Sequence, residues 1–71
     1  MIANDLYVLR NQAGLKQKEL LPHLPLTPSG RKITTDFLGR IERGEVDITE
    51  ELYKGIRDAI NRIDAARKAA A

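Results

Sequence analysis

Thr35, Asp36, Gly39 and Arg40 bring together side chains suited to reading the edge of a base pair. Arg40 carries a planar fork that pairs in bidentate fashion with guanine, and Asp36 can accept from the amino group of cytosine. Thr35 can touch a thymine methyl or a phosphate, and Gly39, with no side chain, lets a backbone approach closely. Around these positions stand donors of the kind that hold a phosphate: Lys16, Gln17, Arg31, Lys32, Thr34 and Arg43. Such donors fix register on a nucleic-acid backbone without reading its sequence. Asp36 is the awkward member, because phosphates repel a carboxylate unless a cytosine or a neighbouring arginine holds it. Its alternative role is to complement the positive end of a helix.

Other chemistry finds little material. No nucleophile and base set, no paired carboxylates and no glycine-rich phosphate loop stand in the sequence, so no enzyme activity is expected. There is no cysteine and His23 is the single histidine, which excludes a disulfide frame and a zinc site of the Cys/His kind. No metal and no cofactor are expected. Tyr7, Phe37 and Tyr53 are the only aromatic residues, too few for a platform that stacks single strands. Pro22, Pro25 and Pro28 contain the spacing of a polyproline-type ligand, but inside a folded domain a connecting loop is the plainer reading. Ser29-Gly-Arg-Lys32 reads either as a flexible arm that grips phosphate or as a mobile linker with incidental charge.

The chain has 71 residues, which is room for one domain. Domains of this size bury only about 60% of their unfolded surface, so the fold must rest on a small apolar core. Net charge is +2. Residues 1–44 carry seven Lys/Arg against four Asp/Glu, or +3, and residues 45–71 carry five against six, or −1. The basic excess therefore falls in the part that holds the candidate residues. Apolar runs are far shorter than the roughly 20 residues that span a bilayer, and the N-terminus lacks the pattern of a secretory signal, so a soluble, cytoplasmic protein is expected.

The elements that must position these residues are helical. Leu6, Leu9 and Ala13 share one face of a helix over Asp5–Ala13, with Asn4 as N-cap and Gly14 just past its end. A second, short helix begins near Gln17 and carries Leu20 and Leu21 inward until Pro22 stops it. Pro22 to Lys32 reads as an irregular connection with turn character, pinned to the core by Leu24 and Leu26. A third helix has Thr34 as N-cap, Asp36 in its first turn, Leu38 and Ile41 as inward positions and Gly44 as terminator. Phe37 is either core or a thymine contact. A fourth helix starts at Asp47 or Thr49, with Asp47-Ile-Thr-Glu50 spaced as a capping box. It lays Ile48, Leu52, Ile56, Ile60 and Ile63 along one face. Residues 1–64 form the domain, and 65–71 an Ala-rich extension of the last helix or a frayed tail.

Leu9-Arg10-Asn-Gln-Ala13-Gly14-Leu15-Lys-Gln17-Lys-Glu19-Leu20 resembles the first half of the helix-turn-helix pattern of phage Cro and CI repressors and their small bacterial relatives. Ile33-Thr34-Thr-Asp-Phe-Leu38-Gly-Arg-Ile41-Glu42-Arg43-Gly44 resembles the second half, and Leu52 to Ile60 is similar to the helix that follows. The resemblance implies an all-α fold of four to five helices, lambda-repressor-like, with the third helix in the major groove. It matches Gln17 and Arg43 to phosphate contacts and Thr35, Asp36 and Arg40 to base-reading positions. It also implies an ion pair between Arg10 and Glu42 that ties the third helix to the first. The chain departs from the pattern in two ways. Eight residues, Pro25 to Lys32, lie between Leu24 and Ile33 where the family usually has one glycine. Lys16 stands where the family favours Ser or Thr, which weakens the second helix by roughly 1 kcal/mol.

Two function classes follow. One is a regulator, expected to act as a repressor of phage or mobile-element type, that binds an inverted repeat of double-stranded DNA as a homodimer. The other is a protein-binding module on the same helices, an antirepressor or antitoxin-like protein that docks through Leu26, Val46 or Tyr53. Val46, Tyr53 and the last helix compete as the dimer surface.

Overall fold

The computed structural model describes residues 1–70, and among them it has four α-helices and no strand. These are α1 (Asp5–Gln12), α2 (Gln17–Leu20), α3 (Thr35–Glu42) and α4 (Glu50–Ala70). A 3₁₀ turn, Leu21–His23, prolongs α2 with Pro22 inside it. No described helix is long and apolar enough to cross a membrane.

The helix ends show which local signals decide the fold. Thr34 is extended (φ −93°, ψ 166°) and its Oγ1 accepts from the Phe37 amide at 3.1 Å, the expected N-cap of α3. Gly44 closes α3 at φ 76°, a conformation that a Cβ would strain. Asn4 behaves otherwise than expected: it is already helical (φ −67°, ψ −15°) and makes no side-chain cap bond. The chain winds in one residue earlier, with the Leu6 amide on the Ala3 carbonyl at 3.1 Å. A helical Asn4 cannot fold its amide back over the end. At α4 the cap is Thr49, whose Oγ1 accepts from the Leu52 amide at 3.1 Å, and not Asp47. The reason lies at Ile48, which is buried and pairs its amide with the Met1 carbonyl at 2.9 Å, so the chain cannot turn helical until after it.

Leu6, Leu20, Leu38, Ile41, Ile56 and Ile60 are fully buried and form the centre of the core. Each removes enough apolar surface from water to contribute roughly 1.5–3 kcal/mol. Ala3, Leu15, Ile33, Ile48, Leu52 and Ala59 complete it, while Leu9, Ala13, Leu24 and Ile63 pack half-buried against its rim. Leu26, expected to pin the connection, is exposed; Pro25 does that work instead. A Cβ built on Gly55 of α4 would lie 2.8 Å from Pro25 Cγ, so glycine there lets the loop sit against the helix.

With 21 residues, α4 is about 31 Å long and sets most of the 36 Å long axis. It runs unbroken past residue 64. Arg67 Nη1 donates to the Gly14 carbonyl at 3.3 Å and its guanidinium pairs with Glu19 of α2. The segment 65–70 is therefore a helical extension that reaches back to the body. Ala71, the last residue of the expected tail, lies outside the described residues.

Candidate nucleic-acid interface

The inner side of α3 is held by a buried ionic junction. Arg10 Nε donates to Glu42 Oε2 at 2.7 Å and Nη2 donates to Oε1 at 3.0 Å, the parallel fork of a bidentate pair. Arg10 Nη1 donates to the Leu15 carbonyl at 2.7 Å, and Gln17 Nε2 donates to Glu42 Oε1 at 2.9 Å. The two charged side chains keep only 10% and 3% of their surface in water. One junction thus joins α1, the α1–α2 connection, α2 and α3. Tyr7 adds a ring 5.6 Å from the Arg10 guanidinium carbon.

The outer side of α3 divides in an unexpected way. Thr35, Asp36 and Arg40 are exposed, whereas Gly39 is buried together with Leu38, Ile41 and Glu42. A Cβ on Gly39 would meet Arg43 Nη1 at 3.1 Å and Gln17 Nε2 at 3.8 Å. The glycine makes room for those two side chains, which lie across it, and does not open the helix backbone to a groove. Gln17 is likewise half-buried and already committed to Glu42.

Both cations of the outer side have carboxylate partners inside the chain. Arg40 Nε lies 3.2 Å from Asp36 Oδ2, one turn back along α3. Arg43 pairs with Glu45 across Gly44. These pairs are open to water, with 52–74% of each acidic or basic side chain exposed in the first and second pair alike. Pairs of this kind are weak, about 0–1 kcal/mol, and a stronger partner can replace either carboxylate. The sequence signal for Glu45 is an acid two residues past an arginine across a tight terminator.

Lys16 is exposed and extended, and the first turn of α2 is closed from the other direction: Glu19 Oε1 accepts from the Lys16 amide at 3.0 Å. That hydrogen bond, with Arg67 second, holds the Glu19 carboxyl below the ordinary carboxylate range. Elsewhere, Tyr53 Oη donates to Asp5, which pushes the phenol up and ties α4 to the start of α1.

Arg31 and Lys32 lie beyond the N-terminus of α3 on a loop that is ordered by its own hydrogen bonds. The Gly30 amide donates to the Thr27 carbonyl at 2.8 Å, and the Thr27 amide donates to the Arg31 carbonyl at 2.8 Å. Thr27 Oγ1 accepts from the Arg31 amide at 3.1 Å and lies 2.9 Å from Ser29 Oγ. Pro28 at the second position and Gly30 at φ 83° have the residue preferences of a short hairpin closure. Ser29 to Lys32, expected as either a flexible arm or a mobile linker, belongs to a closed turn. Thr34 and Phe37 line the same open depression as Arg31 and Lys32, so the loop and the start of α3 form one surface.

No cluster of metal-ligating side chains occurs among the described residues. Comparison of the chain with protein-family models, with curated proteins and with solved structures finds no match.

Proposed function

We propose that this chain is a sequence-specific double-stranded DNA-binding regulator of the helix-turn-helix type, similar to the Cro and CI repressors, with α3 as the reading helix. One observation carries the proposal: α3 is capped at both ends and fixed to α1 by a buried bidentate pair, while Thr35, Asp36 and Arg40 stand exposed along its first turns. A rod held rigidly with its N-terminal face outward is what insertion into a major groove needs. A homodimer would place two such helices about 34 Å apart on an inverted repeat. Thr35 and Arg40 then read base edges, Asp36 either accepts from cytosine or serves α3 as a dipole partner, and Lys16, Thr34 and Arg43 meet phosphates.

The test is a duplex selected from a random pool, titrated against two variants. Arg40→Ala is expected to cost about 1–3 kcal/mol and relax base choice, and Arg43→Ala to weaken all sequences evenly with a flatter salt dependence. Wild-type binding in both variants would defeat the proposal.

A protein-binding module is the second reading, favoured by the pairing of Arg40 and Arg43 within the chain and by the exposure of Leu26, Tyr7 and Val8. It requires binding to a protein with no salt-sensitive affinity for duplex DNA.

A further inference from the structure

The charge on the outer surface is unevenly placed. Around α3, Arg10, Arg40 and Arg43 are matched by Glu42, Asp36 and Glu45, so this unit carries no net charge. Residues 20–35 contain no carboxylate at all, and within them Arg31 and Lys32 stand side by side, exposed and with no carboxylate partner among the described residues. The long-range attraction that brings a polyanion to this face must therefore come from cations outside α3, from Lys16 at the start of α2 and above all from the loop, where two unpaired cations stand together.

The loop is also built to hold those charges in place. Thr27, Ser29 and Gly30 close it by hydrogen bonds, and Pro25 anchors its base against Gly55 of α4. A cation on a closed turn loses less freedom on binding than one on an open linker. Its position next to Thr34 and Phe37 puts it beside the end of α3 that would enter a groove.

We propose that the loop from Pro25 to Lys32 is a preformed second arm whose ligand is the sugar-phosphate backbone of duplex DNA, with Arg31 and Lys32 supplying the dominant phosphate contacts. This rests on the DNA-binding reading and adds a division of labour to it. The loop gives affinity without regard to sequence, and α3 gives selectivity.

The experiment measures binding of a fluorescein-labelled random-sequence duplex by anisotropy over a salt series, for the wild-type chain, Arg31→Gln/Lys32→Gln, and Arg40→Gln. Both loop positions are exposed, so the double variant is expected to keep the wild-type thermal transition. Loss of two phosphate contacts shrinks the log-log salt slope by about 1.8, which means that between about 50 and 200 mM salt the double variant loses roughly tenfold less affinity than wild type. Arg40→Gln is expected to change this slope by less than half as much. A wild-type slope in the double variant, with binding otherwise intact, overturns the loop's role and leaves the DNA-binding reading standing. No salt-sensitive binding by the wild-type chain overturns both, as does a preference for an RNA duplex of the same length.

Discussion

Arg10–Glu42 and Arg40–Asp36 are ion pairs of the same chemical kind on opposite sides of α3, and their surroundings make them different objects. The first is enclosed by α1, α2 and the Leu15 carbonyl, has both carboxylate oxygens bonded and keeps almost no contact with water. The second is open to solvent and held by a single contact of 3.2 Å. Burial turns the first into a fixed joint, because separating it would strand a charge in a place that cannot solvate it. Exposure turns the second into a replaceable pair, because water can take over from either partner, and a phosphate from the carboxylate, at little cost. A helix that must be held firmly and yet present exchangeable charges needs both kinds.

The largest effect should come from breaking the joint. Glu42→Ala leaves the Arg10 guanidinium buried with only the Leu15 carbonyl as acceptor and strips Gln17 of its partner. The expected loss is about 3–5 kcal/mol. A domain of this size has a total of only about 4–11 kcal/mol, so the variant should be largely unfolded at modest urea concentrations. Urea titration followed by circular dichroism checks this, and a loss under about 1 kcal/mol would show that the buried pair is no joint.

A smaller effect, of opposite sign in its two readouts, is expected from Asp36→Asn. Asp36 sits in the positive first turn of α3 and one turn before Arg40, so the substitution removes a dipole interaction and an exposed pair, together costing under about 1 kcal/mol of stability. It also frees Arg40 and takes a negative charge off the surface. Affinity for a random duplex at low salt should rise in the anisotropy titration. A fall on one particular sequence would assign Asp36 to a cytosine, and a fall on all sequences would contradict its place on the proposed DNA-facing surface.

How far these features could be read from the residues depended on whether the deciding interaction was local. Thr34 and Gly44 act within one turn of helix, and their roles follow from residue chemistry at fixed spacing. The Arg10 and Glu42 contact spans the fold, and only the resemblance to a known pattern pointed to it. Asn4 and Asp47 have good capping side chains, but tertiary contacts at Ala3 and Ile48 set the backbone before those side chains can act. Gly39 and Gly55 look alike in sequence, each a weak point inside a helix. One makes room for Arg43 and Gln17, the other for Pro25, and no local rule tells which neighbour fills the space. The order of the 24–33 connection is hidden for a different reason: its bonds are local, but proline, serine and glycine mark a turn without saying whether it closes on itself.

The weakest expected effect concerns an exposed pair that has a backbone partner as well. Glu19 accepts from the Lys16 amide and pairs with Arg67, and both lower its pKa, the backbone bond more. A carboxyl with a lower pKa in the folded than in the unfolded chain contributes stability that is complete above its unfolded value. That contribution is lost as the pH falls through the ordinary carboxylate range to the folded value. Thermal unfolding from neutral to acid pH should therefore show an acid limb that Glu19→Gln flattens. Arg67→Ala should flatten it less, because the larger cause, the Lys16 amide, remains. Equal flattening by the two variants would mean that the ion pair and not the helix-end hydrogen bond governs Glu19. The α2–α4 contact would then be an anchored charge like Arg10–Glu42, not an exchangeable one like Arg40–Asp36.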